Sequence, residues 1–107
     1  MGLEIERRFL VKGEGWRPFA GPPQKLRQGY LTITNQGWTV RIRIMSDEKA
    51  WLTLKSPAEG FANHEFEYLI PLKDAENLWD LAPNRIRKTR YTLNLNSREW
   101  IVDCFEE

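Results

Sequence analysis

The stretch WTVRIRIM, residues 38–45, alternates between two kinds of side chain. Valine and isoleucine fill positions 40, 42 and 44, and arginine fills positions 41 and 43. Successive side chains of a β-strand point to opposite faces, so this stretch predicts a strand with one apolar face and one basic face. The β-branched residues at the apolar positions favour the same assignment.

Similar patterns extend outward on both sides of this stretch. Strands are predicted over residues 3–11, 25–34, 38–45, 50–55, 64–70, 86–95 and 99–105, separated by turns and loops rich in Gly, Pro, Asn and Ser. Residues 71–81 change to a helical period, with Pro71 suited to the start of a helix and Pro83 to its end. The sequence therefore predicts a mainly β chain (α+β) of about seven mostly antiparallel strands and one short helix.

Composition bounds the kind of protein that the chain can be. Its 107 residues suffice for one domain, and its 16 basic and 15 acidic residues nearly cancel. The balanced charge gives no reason to expect DNA or an anionic membrane as a partner. A single cysteine and the lack of a long apolar run predict a cytoplasmic location.

Charges of like sign repeat at every second position of several strands. The pairs are Glu4 and Glu6, Arg41 and Arg43, Glu65 and Glu67, and Lys88 and Arg90, while Lys55 and Asp103 occupy the equivalent positions of their strands. An ordinary solvated sheet face is one interpretation. Like charges at adjacent positions of one face are destabilising, however, which favours an external group that completes the charge balance. Basic strands suit a polyanion and acidic strands suit Mg²⁺ or Mn²⁺, so a metal-chelated polyphosphate would satisfy both.

Other chemistry finds little support in the sequence. His64 is the only histidine, and no Walker A or G-x-G-x-x-G pattern occurs. Cys104 falls on an apolar position of its strand and is interpreted as a packing residue. The pattern leaves open whether the charged faces point outward or into a curled sheet.

Seven short blocks resemble one known family. EIERRFLV, residues 4–11, resembles the Glu-x-Glu-x-Lys signature of the CYTH domain proteins, also called triphosphate tunnel metalloenzymes. The resemblance continues in family order through QGYL (28–31), TVRIRI (39–44), LTLK (52–55), EFEYLIPLKDA (65–75), IRKTRY (86–91) and WIVDCF (100–105). It covers almost the whole chain.

The resemblance implies an antiparallel β-barrel of the triphosphate tunnel type, whose charged residues point inward. Family members continue with further strands, including an acidic Glu-x-Glu strand, that this sequence does not contain. Residues 1–107 are therefore expected to form a single CYTH-like domain whose barrel is incomplete at the C-terminus. Such a barrel predicts a homo-oligomer or completion by another chain.

The family also implies a function. It predicts divalent-metal-dependent binding and hydrolysis of a triphosphate or polyphosphate, as in a tripolyphosphatase or an organic triphosphatase, with Mg²⁺ or Mn²⁺ as cofactor. A non-catalytic triphosphate- or polyphosphate-binding module, or an assembly subunit, is the alternative, because the last acidic strand is missing.

Carried over by position, the candidate residues fall into three groups. The candidate catalytic residues are Glu4, Glu6 and Arg8; the substrate-binding residues are Arg8, Arg41, Arg43, Lys55, Lys88 and Arg90; and the metal ligands are Glu4, Glu6, Glu65, Glu67 and Asp103. Arg8 stands where the family signature has lysine. A guanidinium binds phosphate well but is a poor proton acceptor, so a proton-transfer role is not expected of Arg8.

Overall fold

A computed structural model of the chain describes residues 2–5, 8–33, 37–58 and 62–106. This part of the chain forms seven strands and one α-helix: β1 (Gly2–Ile5), β2 (Gln24–Ile33), β3 (Thr39–Met45), β4 (Lys49–Pro57), β5 (Ala62–Ile70), α1 (Leu72–Leu81), β6 (Asn84–Leu95) and β7 (Arg98–Phe105). A single 3₁₀ turn, Arg17–Phe19, lies in the loop before β2. The mainly β prediction with one short helix is confirmed.

All seven strands belong to one antiparallel sheet. Their order is β1-β5-β4-β3-β2-β6-β7, with β1 and β7 at its two ends. The β6–β7 hairpin turns through Asn96 and Ser97, both with positive φ, at 51° and 62°. Such backbone angles match the right-handed twist of two-residue hairpins, which explains why the strands can reverse so tightly there.

Helix α1 covers the apolar face of the sheet. Its buried residues Ala75 and Trp79 pack against Ile42 and Ile44 of β3 and Ala50 of β4. Pro71 precedes the helix with φ of −59°, the angle that a proline ring favours at a helix start. None of the helices in the described part of the chain has the length and apolar character needed to cross a bilayer.

The first strand is shorter than the sequence predicts. Residues 8–11 lie outside any strand, and Phe9 and Leu10 are 71% and 98% exposed. The prediction of a strand through residue 11 is therefore wrong over residues 8–11. Ile5 pairs with Ala62, the first residue of β5.

The end of α1 approaches β2 closely at Gly29. An added Cβ there would lie 2.9 Å from Ala82 Cβ and 3.3 Å from Ile42 Cδ1. Because Ala82 Cβ is fixed to the backbone, it cannot rotate away. Gly29→Ala is expected to lower the free energy of unfolding by about 1–3 kcal/mol.

Urea denaturation measures this effect, with Gly15→Ala as its control. A Cβ added to Gly15 would meet nothing within 4 Å, so the control should change stability by less than about 0.5 kcal/mol. Equal losses in both variants would contradict the close approach of α1 to β2.

Candidate functional site

The strand register collects the charged residues on the face opposite α1. Arg41 lies across from Thr53, and Thr53 lies across from Glu67. Lys55 lies across from Glu65 on the same face. The basic positions of β3 and the acidic positions of β5 therefore flank β4 on one side of the sheet.

This charged face is enclosed rather than solvated. Arg41 is 7% exposed and Lys88 is 8% exposed, while the neighbouring polar residues Gln28 and Thr53 are 2% and 1% exposed. Since α1 covers the other face, only curling of the sheet about its charged side explains this burial. The curl answers the question that the alternation left open: the charged side points inward, and we call it the concave face.

Burial and like charge act together on Arg43. Burial, and then the positive charges of Arg41 and Arg90, lower the pKa of Arg43 to about 10. Arg43 therefore remains charged at neutral pH, but its charge is less favourable there than in water. An anion on the concave face would relieve this repulsion.

Two arginine nitrogens on this face are buried without a partner. Within the described part of the chain, Nε of Arg41 and Nε of Arg43 have no hydrogen-bond acceptor. Arg41 forms an ion pair with Glu65. Oε1 of Glu65 lies 3.8 Å from Nη2 of Arg41, beyond hydrogen-bond distance. Buried donors are normally satisfied, so these two nitrogens suit the oxygens of a ligand.

Asp103 anchors the second basic pair. Lys88 Nζ donates to Asp103 Oδ2 at 2.8 Å, and Arg90 donates through Nε to Oδ1 at 2.8 Å and through Nη2 to Oδ2 at 3.0 Å. Burial lowers the pKa of Lys88, and the bonds to Asp103 partly oppose that effect. The structure thus gives Asp103 the contacts of a residue that holds two cations in place, and its metal-binding role stays a prediction.

The acidic side of the concave face lies on β5 and β1. Glu67 Oε2 accepts a hydrogen bond of 3.1 Å from Thr53 Oγ1. The backbone of Glu4 pairs with Asn63, two residues before Glu65, which places position 4 on the same face. The side chain of Glu4 and the whole of Glu6 lie outside the described part of the chain, so their predicted roles stay predictions.

Carboxylates suit a hard divalent cation, and Glu65 and Glu67 supply two at alternate positions of one strand. The donor chemistry therefore fits Mg²⁺ or Mn²⁺. Among the side chains that the structure describes, no three His, Cys, Asp or Glu come together as a ready-made metal cluster. Glu4 and Glu6 are the predicted metal ligands that would join Glu65 and Glu67 in holding the cation.

Two predicted substrate-binding residues differ in their placement. Lys55 is half-buried on β4, across from Glu65. Arg8 is exposed and follows β1 in a segment without regular structure. The structure thus places Lys55 on the concave face but assigns Arg8 to no strand.

Sequence reasoning missed three neutral residues of the concave face. Gln28, Tyr30 and Thr53 lie across from Arg43 or Arg41 in the ladder. Gln28 Nε2 donates to Tyr30 Oη at 3.1 Å, while its buried Oε1 has no hydrogen-bond partner in the described part of the chain. Their strand parity is visible in the sequence, but neutral side chains at these positions do not stand out as charged ones do.

Comparison with known proteins decides the family. Residues 2–103 match the CYTH domain family. The chain belongs to this family. The sequence is 34% identical over 107 residues to an inorganic triphosphatase of Acetivibrio thermocellus, covering 98% of this chain. It is 38% identical over 90 residues to an inorganic triphosphatase of Nitrosomonas europaea, covering 83% of this chain.

The fold of this CYTH domain is also found in a solved structure. A crystal structure of an inorganic triphosphatase superposes with a TM-score of 0.59 at 29% identity and covers 92% of this chain. The chain spans 67% and 57% of the lengths of the two relatives and 61% of the solved chain. The antiparallel, CYTH-type fold implied by the sequence is confirmed.

Asp103 should make the stability of this CYTH domain sensitive to acid. Burial alone would raise the pKa of Asp103, but the hydrogen bonds from Arg90 and Lys88 lower it to about 2. A carboxyl of lowered pKa stabilises the fold fully above its unfolded value of ~3.9 and loses that contribution as the pH falls towards 2. The contribution is on the order of 1 kcal/mol once solvent screening is allowed for.

Asp103→Asn is therefore expected to lower stability at pH 7 and to flatten its decline between pH 4 and pH 2. Denaturant melts at several pH values measure both effects. Glu99→Gln is the control, because Glu99 is an exposed acid of the same strand. An unchanged acid slope in Asp103→Asn would show that the Lys88–Asp103–Arg90 contacts do not stabilise the fold.

Proposed function

We propose that this domain binds a triphosphate or polyphosphate and hydrolyses its phosphoanhydride bond with the help of Mg²⁺ or Mn²⁺. The observation that carries the proposal is the pair of buried guanidinium groups with unpartnered Nε atoms, Arg41 and Arg43. The names of the two relatives favour inorganic tripolyphosphate as the first substrate to test. Organic triphosphates remain within the proposed substrate class.

Four basic residues would hold the phosphate chain. Arg41 and Arg43 offer unused Nε donors, while Lys88 and Arg90 are held in position by Asp103. Arginine forks match the geometry of phosphate oxygens, and charge-assisted hydrogen bonds are about twice as strong as neutral ones. A bound anion would also remove the repulsion between Arg41, Arg43 and Arg90.

The acidic side would serve the chemistry. Glu65 and Glu67, with the predicted Glu4 and Glu6, are the residues that would hold a divalent cation, which when bound neutralises charge on the transferring phosphoryl group. Their carboxylates would also orient the attacking water. The hydrogen bond from Thr53 fixes the orientation of Glu67 towards this task.

Phosphate release from tripolyphosphate with Mg²⁺ or Mn²⁺ tests the proposed hydrolysis. Glu65→Gln combined with Glu67→Gln should lower the metal-dependent rate at least about 100-fold, because it removes two carboxylate ligands. Thiamine triphosphate and ATP, assayed beside tripolyphosphate, define the substrate.

The rate assay needs two controls. Glu99→Gln changes an exposed carboxylate on β7 and should leave the rate unchanged. Binding of tripolyphosphate to the double variant should persist, because the basic residues remain. A metal-dependent rate that survives the double change would refute the assignment of Glu65 and Glu67.

Tripolyphosphate binding tests the basic side independently of turnover. Arg41→Gln combined with Arg43→Gln should weaken binding by about 3 kcal/mol or more, about 100-fold, because each charge-assisted bond contributes roughly 1.5–3 kcal/mol. Isothermal titration calorimetry measures the change.

Lys73→Gln combined with Arg98→Gln is the matched control for this measurement. Both residues are exposed, so the control removes the same formal charge at a distance from the concave face. Equal losses in the two double variants would mean that general electrostatic attraction, and not the concave face, holds the anion.

A binding module without turnover is the second candidate. It is favoured by the pairing of concave-face acids with bases: Asp103 is bound by Lys88 and Arg90, and Glu65 faces Arg41. Tight tripolyphosphate binding without phosphate release in either metal would support this module. A homo-oligomer, or completion by another chain, remains part of the proposal, and size measurement with light scattering tests it.

A further inference from the structure

A second group of arginines lies outside the concave face, around Trp79 of α1. The guanidinium carbons of Arg27, Arg85 and Arg87 lie 5.4, 5.5 and 5.1 Å from the centroid of the indole ring. Such distances are those of cation–π contacts. Three positive charges therefore share one aromatic side chain on the apolar side of the sheet.

Arg27 has its charge balanced. Its Nη1 donates to Glu76 Oε1 at 2.7 Å, and its Nη2 donates to Glu76 Oε2 at 2.8 Å and to Asp47 Oδ1 at 2.8 Å. Accordingly, the pKa of Arg27 is raised, first by the bonds to Glu76. Because two carboxylates bind its guanidinium group, Arg27 is held in a fixed position beside Trp79.

Arg85 and Arg87 differ from Arg27. They are exposed, two residues apart on β6, and no carboxylate in the described part of the chain forms an ion pair with either. Arg87 lies directly across from Arg27 in the β2–β6 ladder. Like charges in such positions repel, and stacking on Trp79 holds them together in spite of that repulsion.

An open cleft of about 450 Å³ adjoins these two arginines. Its lining consists of Trp79, Arg85, Ile86, Arg87, Phe105 and Glu106. Arg85 and Arg87 are exposed and line this cleft, so their guanidinium groups lie beside a space that can hold a small anion.

We propose that this cleft binds a phosphate-type oxyanion, orthophosphate or pyrophosphate, between Arg85 and Arg87. Guanidinium forks pair with phosphate oxygens bidentately. Glu106 lines the same cleft, and its negative charge opposes the anion. Arg85 and Arg87 lie on the face opposite Arg41 and Arg43, so this proposal does not depend on the proposed hydrolysis.

The test follows the side-chain NMR signals of Trp79 Nε1–H and of Arg85 and Arg87 Nε–H during titration. Separate titrations with orthophosphate and with pyrophosphate distinguish a single phosphate group from a diphosphate. Sodium chloride at matched ionic strength reports simple screening. Arg85→Gln combined with Arg87→Gln should weaken the binding that Trp79 reports at least about tenfold, and Glu106→Gln should tighten it severalfold.

Two further variants localise the effect. Lys73→Gln with Arg98→Gln removes two exposed charges elsewhere, and Arg41→Gln with Arg43→Gln removes the two unpartnered Nε donors of the concave face. Neither double variant should change the titration at Trp79. Shifts equal to those in chloride, or none, would overturn the proposal and leave the arginines as a cover for Trp79. Failure of Glu106→Gln to tighten binding would overturn it as well, whether or not the double arginine variant folds.

Discussion

Arg41 and Arg43 hold two positive charges side by side on the enclosed face of β3, and Lys88 adds a third from β6. Removing such charges from water is costly unless a partner restores what solvation provided. Burial, and then the charges of Arg41 and Arg90, lower the pKa of Arg43, in agreement with that cost. The opposite orientation of the strand would not remove this cost, because Ile42 and Ile44 on its other side must pack beneath α1. The alternation of β3 therefore couples the formation of the apolar core to the burial of the basic pair.

On both faces of the sheet, a carboxylate forms ion pairs with part of the positive charge. On the concave face Asp103 binds Lys88 and Arg90, and on the outer face Glu76 binds Arg27. In each case an alternate-position arginine pair lies nearby: Arg41 and Arg43 inside, with unpartnered Nε atoms, and Arg85 and Arg87 outside, against Trp79. The two pairs differ in burial, and desolvated donors bind an anion more strongly than solvated ones. The inner pair suits a tightly held substrate, and the outer pair suits a weaker, exchangeable anion.

The period-two pattern was sufficient to predict which residues share a face, as Arg41, Arg43, Glu65 and Glu67 demonstrate. It could not predict which face lies inside, since that depends on how a whole sheet curls; the family resemblance supplied the direction.

The period-two pattern also could not predict which side chains contact each other across strands. Asp103 was predicted as a metal ligand, but its contact with Lys88 and Arg90 depends on the β6–β7 register. The contacts of Arg27, Arg85 and Arg87 with Trp79 join a helix to two strands, so no local pattern in the sequence predicts them. Arg8 shows the opposite error, because alternation predicted a strand there and the structure assigns Arg8 to none.

The order of the strands also gives the concave face a polarity. Acidic positions lie on β1 and β5, the basic pair lies two strands away on β3, and Lys88 and Arg90 follow on β6. A triphosphate bound across the strands would meet mainly basic residues along β3 and β6, and it would meet the carboxylates of β5 only if one end reached that strand. Hydrolysis requires the second arrangement, because the phosphoryl group under attack must approach the carboxylates that hold metal and water. The leaving diphosphate would then remain against Arg41, Arg43, Lys88 and Arg90, where developing negative charge is stabilised most. Under the proposed function, the distribution of charge along the sheet thus favours one direction for the bound substrate.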